Sequence, residues 1–213
     1  MLSLKELAAK YIDSSKIYKF KTFPYYAEFY EYQFGYIRES AKRVLEIGVH
    51  KGGSLRAWRD YFYNAEVFGI DVKQEFMIKD EERIQTFLCD QGKRDELEIF
   101  AIENGPFDVI VDDGGHMMTQ QQISLGVLFR HLVPGGAYAV EDLHSSAINK
   151  YVDGVLTTHL LLHNMVFKGY VKRDKTWQGA MTDDEIDFLV NNFKQVELGA
   201  SEKGVTAVIK RVK

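Results

Sequence analysis

The sequence has 213 residues, of which 46% are hydrophobic and 27% are charged, and its formal net charge is -4 at pH 7. This length and composition predict one globular domain with a single core, and the small negative charge disfavours nucleic acid as a partner. The sequence contains no apolar run of about eighteen residues, so we expect no membrane-spanning segment. A single cysteine, Cys89, excludes an internal disulfide. We therefore expect a soluble, cytoplasmic protein.

The first 42 residues are expected to be helical. Ser3 and Glu6 have the spacing of a capping box, which predicts a helix that begins at Leu4. Farther along, Tyr26, Tyr30 and Phe34 are spaced four residues apart, so they share one face of a helix. This aromatic face can pack on a sheet or form the wall of an acceptor pocket, and the pattern leaves both interpretations open.

From Arg43 onward, short apolar runs alternate with helix-like segments. This alternation is typical of a parallel sheet with helices on both faces. The predicted strands are VLEIGV, EVFGIDV, IQTFLC, FDVIVD and AYAVED. Thr182 is predicted to cap a last helix, with Glu185 three residues on, and KQVELGASEKGVTAVIKRV then predicts a terminal hairpin. The expected fold class is therefore α/β, with a Rossmann-like, doubly wound sheet.

A glycine-containing turn follows the first predicted strand and leads into a helix that starts near Ser54. It contains Gly48 and Gly52 and is preceded by Glu46. Glycines let a ligand approach the backbone, and a helix N-terminus offers free N–H groups to an anion such as a carboxylate or a phosphate. The spacing lacks the middle glycine of G-x-G-x-x-G, so the dinucleotide fingerprint is not met. Taken alone, the loop also fits a purely structural turn.

Polar residues end the second and third predicted strands. Asp71, about twenty residues past the glycine loop, can accept both hydroxyls of a ribose. Asp90 and Gln91 can hydrogen-bond the edge of an adenine, although Asp90 also fits a solvated loop acid. The glycine loop and Asp71 together predict an adenosine-containing ligand.

Two acidic clusters follow the fourth and fifth predicted strands. Asp112, Asp113 and His116 come after FDVIV, and Glu141 and Asp142 come after AYAV. The carboxyl ends of parallel strands meet at one edge, so these side chains can converge. Carboxylate oxygens suit Mg²⁺, and the histidine, with an ordinary pKa of about 6.5, is a candidate general base. The alternative is that the acids cap the helices that follow their strands.

The motifs VLEIGVHKGGSLRAW, FGID, LCDQ, FDVIVDDGGH and LVPGGAYAVEDLH, in this order over residues 43–145, resemble class I S-adenosylmethionine-dependent methyltransferases. The resemblance implies a seven-stranded sheet whose last strand is antiparallel. His50 stands where that family usually has its middle glycine. The implied cofactor-binding residues are Glu46 and Gly48 for the methionyl part, Asp71 for the ribose and Asp90 and Gln91 for the adenine, with Gly52, Ser54 and Asp112 beside them.

The combination of EIG-V-x-x-GGSL with DDGGH and VED is similar to metal-dependent O-methyltransferases that act on sugars of natural products and bacterial glycans. This resemblance implies a sugar-type small-molecule acceptor, with S-adenosylmethionine and Mg²⁺ as cofactors. Asp113, Glu141 and Asp142 would be the metal ligands, and His116 with Asp113 would be catalytic. The alternatives are an N-methyltransferase, a catechol-type O-methyltransferase and a non-catalytic adenosine-nucleotide-binding protein.

Residues 1–213 are expected to form one methyltransferase domain. Within it, residues 1–42 would be the helical acceptor-side segment, and residues 43–213 would be the cofactor-binding α/β core. The aromatic N-terminus and the apolar run LTTHLLLHNMVF would also suit a homo-oligomer interface.

Overall fold

The computed structural model describes residues 1–11, 24–79, 81–154, 156–168, 179–201 and 204–213. Its strands are β1 (Arg43–Ile47), β2 (Glu66–Asp71), β3 (Ile84–Leu88), β4 (Phe107–Asp112), β5 (Leu132–Val140), β6 (Phe193–Ser201) and β7 (Gly204–Arg211). They form one seven-stranded sheet in the order β3-β2-β1-β4-β5-β7-β6. Strands β1 to β5 pair in parallel, whereas β7 is antiparallel to both of its neighbours. The expected sheet, including its antiparallel last strand, is confirmed.

The described helices are α1 (Leu4–Lys10), α2 (Pro24–Phe34), α3 (Gly53–Tyr61), α4 (Arg94–Asn104), α5 (Met118–Leu128), α6 (Thr158–Lys168) and α7 (Asp183–Asn192). The predicted capping boxes are present: Ser3 with Glu6 begins α1, and Thr182 with Glu185 begins α7. Side-chain and backbone groups at these two ends satisfy N–H groups that a helix leaves unpaired. Of the helices described, none is both long and apolar enough to cross a membrane.

Two apolar cores lie on opposite faces of the sheet. Successive side chains of a strand point to opposite faces. In β4, Ile110 accordingly packs in the core covered by α4 to α7, whereas Val109 and Val111 pack in the core covered by α1 to α3. Burial on both faces explains why the predicted strands read as nearly continuous apolar runs.

The aromatic side chains of α2 belong to the second of these cores. Tyr26, Tyr30 and Phe34 are at most 4% exposed. The ring of Tyr30 stacks on Phe34 with centroids 5.1 Å apart, and it meets the edge of Trp58 in α3 at 5.6 Å. The interpretation of this stripe as a packing face is therefore confirmed.

The register of the parallel strands aligns their carboxyl ends. Ile70, Ile47, Asp112 and Val140 form one row across β2, β1, β4 and β5. The backbone pairing continues one residue farther, because the N–H groups of Gly48, Asp113 and Glu141 donate to the carbonyls of Ile70, Ile47 and Asp112 at 2.7, 3.1 and 2.9 Å. The residues that follow the row are therefore held at one edge of the sheet.

Gly69 in β2 provides a test of this packing. A Cβ atom at this position would lie 2.8 Å from Val49 Cγ2 and 2.9 Å from Leu55 Cδ1. We expect Gly69→Ala to lower the free energy of unfolding by about 1–3 kcal/mol, as overpacked cores do, when urea unfolding is measured. Gly35 is the matched control, because a Cβ there meets nothing within 4 Å. Equal stability losses in the Gly69→Ala and Gly35→Ala variants would contradict this packing.

Candidate active site

A cavity of about 270 Å³ opens at the carboxyl ends of β1 to β4. Four of the predicted cofactor residues, Gly48, Asp71, Asp90 and Gln91, line it together with Asp113. The other four, Glu46, Gly52, Ser54 and Asp112, are not among its lining residues. The cavity thus lies at the loops in which the cofactor residues are predicted, and half of those residues line it.

The glycine loop between β1 and α3 has a left-handed backbone at Gly48, His50 and Gly52, with φ of 92°, 47° and 72°. Such values suit glycine and are strained for histidine. The ring of His50 packs against Phe76 with centroids 5.0 Å apart. Behind the loop, the hydroxyl of Ser54 donates to Glu46 at 2.7 Å, and both side chains are buried. This bond ties the end of β1 to the first turn of α3.

Asp71 anchors the glycine loop as well as facing the cavity. Its Oδ2 accepts hydrogen bonds from the N–H groups of Val49 at 2.9 Å and His50 at 3.2 Å, and its Oδ1 accepts one from Lys73 at 3.0 Å. A carboxylate has about four acceptor sites, so these bonds leave capacity for a ligand hydroxyl. The anchoring role was not predicted, because the sequence does not show which side chain meets the loop.

Gln91 and Asp112 form a buried hydrogen-bonded pair beneath the loop after β4. The amide of Gln91 donates to Asp112 Oδ1 at 3.1 Å and accepts from the N–H of Gly115 at 2.6 Å. The hydroxyl of Ser124 and the N–H of Gly114 also donate to Asp112. Burial raises the pKa of the Asp112 carboxyl, and these hydrogen bonds oppose the rise. Asp112 is therefore a supporting group that orients Gln91 and the following loop.

Gln120 is a cavity residue that the sequence did not single out. Its Oε1 is buried and has no hydrogen-bond partner among the described residues, and its amide lies against Gly92 and Gly115. Buried polar atoms are nearly always paired, so an unpaired amide oxygen in the wall fits a ligand that brings hydrogen-bonding groups, as adenosine does. No sequence pattern separates Gln120 from Gln121 and Gln122 beside it.

Next to the cavity, Asp113, His116 and Asp142 each offer one ligand atom, and these three atoms lie within 4.8 Å of one another. His116 Nε2 is 3.5 Å from Asp142 Oδ2 and 4.0 Å from Asp113 Oδ1. Asp113 is buried, whereas the side chains of His116 and Asp142 are 21% and 30% exposed. The predicted convergence of the two acidic clusters is thus observed for these residues.

The backbone at this cluster is strained. His116 and Asp142 have positive φ, 60° and 54°, and the hydroxyl of Ser145 holds the carbonyl of His116 at 2.8 Å. A left-handed non-glycine residue costs about 1–3 kcal/mol and is typical of functional sites. The capping interpretation of the acids is not supported, because Met117 is the N-cap of α5 and Asp142 makes no side-chain cap bond to the short helix Leu143–Ala147.

Glu141, the remaining predicted metal ligand, is outside that group of three. Its side chain is 1% exposed, and its Oε1 accepts a hydrogen bond from the hydroxyl of Tyr30 at 2.8 Å. Its backbone carbonyl accepts a second bond from Gln121 Nε2 at 2.9 Å. The structure thus brings His116 within 4.0 Å of both aspartates, whereas the Glu141 side chain contacts Tyr30 of α2.

Comparison with known proteins identifies sequence relatives. A model of the FtsJ-like methyltransferase family matches residues 28–204. Mycinamicin VI 2''-O-methyltransferase of Micromonospora griseorubida is 36% identical over 147 residues, which cover 66% of this chain and 36% of that protein. The 8-demethyl-8-(2-methoxy-alpha-L-rhamnosyl)-tetracenomycin-C 3'-O-methyltransferase of Streptomyces olivaceus is 35% identical over 147 residues, with the same two coverages. The match spans about a third of the length of these relatives.

A solved structure agrees with this relationship. MycE methyltransferase from the mycinamycin biosynthetic pathway, in complex with Mg, SAH and mycinamycin VI, is 26% identical to this chain with a TM-score of 0.79. The comparison covers 100% of this chain and 55% of MycE. Because the family model spans most of the sequence, and the sheet and its carboxyl edge are those expected of a methyltransferase, the chain belongs to the FtsJ-like methyltransferase family.

Proposed function

We propose that this protein transfers a methyl group from S-adenosylmethionine to a hydroxyl of a sugar or a sugar-containing small molecule, with Mg²⁺ at the acidic cluster. One observation carries the proposal: Asp113 both lines the cavity and belongs to the cluster with His116 and Asp142. A ligand in the cavity and an acceptor at the cluster would therefore be neighbours. The relatives are named as methyltransferases of sugar-bearing natural products, which supports this acceptor class.

In the proposed cofactor site, S-adenosylmethionine supplies the methyl group from its sulfonium. Glu46 and Gly48 would hold the methionyl part, with Gly52 and Ser54 shaping the loop around it. Asp71 would bind a ribose hydroxyl at its remaining acceptor site. The polar groups of Asp90 and Gln91 would bind the adenine, and the hydrogen bond to Asp112 would keep the Gln91 side chain in place. The amide of Gln91 has two hydrogens and two lone pairs, and its bonds to Asp112 and Gly115 use one of each kind.

At the proposed metal centre, Asp113, Glu141 and Asp142 offer the oxygen ligands that Mg²⁺ prefers. A bound Mg²⁺ would stabilise the negative charge that develops on a coordinated hydroxyl oxygen as its proton leaves. His116 would accept the hydroxyl proton at a ring nitrogen. Asp113 Oδ1 and Asp142 Oδ2 lie 4.0 and 3.5 Å from its Nε2.

The N-terminal segment, residues 1–42, is proposed to form the acceptor side of the domain, and residues 43–213 the cofactor-binding core. The bond between Tyr30 of α2 and Glu141 supports this arrangement, because it brings the segment against the acidic cluster.

Removal of divalent cations is the first test. We expect EDTA to stop methyl transfer and Mg²⁺ to restore it, because a sugar hydroxyl is too weak an acid to react without help. The measurement is release of S-adenosylhomocysteine over a panel of sugars and nucleotide sugars. Asp113→Asn should lose activity at every Mg²⁺ concentration.

Transfer to amines that survives EDTA would favour an N-methyltransferase, and a preference for catechols would favour a catechol-type enzyme. Binding of ATP or NAD without transfer would favour a nucleotide-binding protein.

His116→Ala tests the proposed base. We expect kcat to fall roughly 10²- to 10⁴-fold, as is typical when a general base is lost, with unchanged calorimetric affinity for S-adenosylhomocysteine. His159→Ala is the matched control, since His159 is exposed on α6. A normal rate in the His116→Ala variant would remove this histidine from the reaction.

Asp71→Ala tests the cofactor site. We expect its affinity for S-adenosylhomocysteine to fall about 10- to 150-fold, the equivalent of losing a charged hydrogen bond of 1.5–3 kcal/mol, because both the ribose contact and the loop anchor are removed. Asp95→Ala, an exposed acid on α4, should bind like the unmodified protein. An unchanged binding isotherm for Asp71→Ala would contradict the ribose assignment.

A further inference from the structure

A buried hydrogen bond joins the N-terminal segment to the end of β5. The hydroxyl of Tyr30 donates to Glu141 Oε1 at 2.8 Å, although the two residues are 111 positions apart. Tyr30 is 0% exposed and Glu141 is 1% exposed. Water cannot readily replace this bond, because both groups are buried, so the contact constrains the Glu141 carboxyl group.

Ring packing fixes the position of the phenol. The ring of Tyr30 is nearly parallel to Phe34, with 13° between their planes, and it meets Trp58 at 80°. An aromatic side chain held on two sides loses its freedom to rotate. The hydroxyl is therefore aimed at Glu141 by the core rather than by the hydrogen bond alone.

The phenol is a neutral donor. A lysine or arginine in this position would cancel the charge of Glu141 and compete with a cation. A phenol instead donates a hydrogen bond without adding a positive charge.

We propose that Tyr30 is a positioning residue for the metal centre, which acts by holding Glu141 ready to bind a divalent cation. This inference rests on the proposed function, in which Glu141 is a metal ligand. A carboxylate has two oxygens and about four acceptor sites, and the phenol occupies one of them. Groups that hydrogen-bond metal ligands orient them, and their loss typically weakens metal affinity about 10- to 100-fold.

Tyr30→Phe is the direct test, because it removes the hydroxyl and keeps the ring. Mn²⁺ serves as a spectroscopic substitute for Mg²⁺, with free Mn²⁺ followed by electron paramagnetic resonance in the full chain. We expect the Kd for Mn²⁺ to rise about 10- to 100-fold, with unchanged calorimetric affinity for S-adenosylhomocysteine and an unchanged circular dichroism spectrum. The matched control is Tyr61→Phe, which alters a buried tyrosine of the same aromatic cluster, 6.4 Å from Trp58. This variant should bind Mn²⁺ normally.

A further variant separates failure of the inference from failure of the proposed function. Glu141→Gln should bind Mn²⁺ weakly. If the unmodified protein binds no Mn²⁺, or if Glu141→Gln binds it normally, the assignment of Glu141 as a metal ligand is wrong. The proposed role of Tyr30 is then wrong as well. If Glu141→Gln loses affinity and Tyr30→Phe does not, Tyr30 only packs in the core and the inference alone is overturned. Loss of both Mn²⁺ and S-adenosylhomocysteine binding in Tyr30→Phe would indicate a general structural role and would also overturn it.

Discussion

The site depends on the register of four parallel strands. Pairing of β2, β1, β4 and β5 sets Ile70, Ile47, Asp112 and Val140 in one row, so the next residues on those strands, Asp71, Gly48, Asp113 and Glu141, come to the same edge. A slip of one residue in any strand would turn its apolar side chains to the wrong face of the sheet. The two apolar cores therefore enforce the same alignment that gathers the polar groups. The packing of the core and the assembly of the site therefore both require the same strand register.

Neighbouring carboxylates at this edge have different environments and different proposed tasks. Asp112 ends β4 beneath the surface, where a serine, an amide and a backbone N–H bond it and burial raises the pKa of its carboxyl. Asp113, one residue on, lines the cavity and joins His116 and Asp142. Successive side chains along a strand point in opposite directions, so one step in sequence separates a buried supporting group from a group that can meet a ligand.

Sequence patterns predict the strands, the helix caps and the identity of the edge residues, because these follow from local periodicity and from the rule that parallel strands end together. They do not predict contacts that require the packed tertiary structure. The loop-anchoring bonds of Asp71, the unpaired oxygen of Gln120 and the contact of Tyr30 with Glu141 each depend on side-chain directions across separate elements. The aromatic stripe of α2 illustrates the difference. The residue spacing predicts which side chains share its helical face. It does not predict the partner of the Tyr30 hydroxyl, which is 111 residues away.

The left-handed residues at the edge carry a consequence for engineering. Of the four non-glycine residues with positive φ in the described part of the chain, three are His50, His116 and Asp142. Glycine at any of these positions would relieve backbone strain of about 1–3 kcal/mol, so a selection for thermal stability alone would favour it. At His116 and Asp142 the same change would delete the imidazole or the carboxylate. Screens that select only for stability would therefore tend to remove these functional side chains first. Mutant libraries designed to raise thermal stability should keep these positions constant.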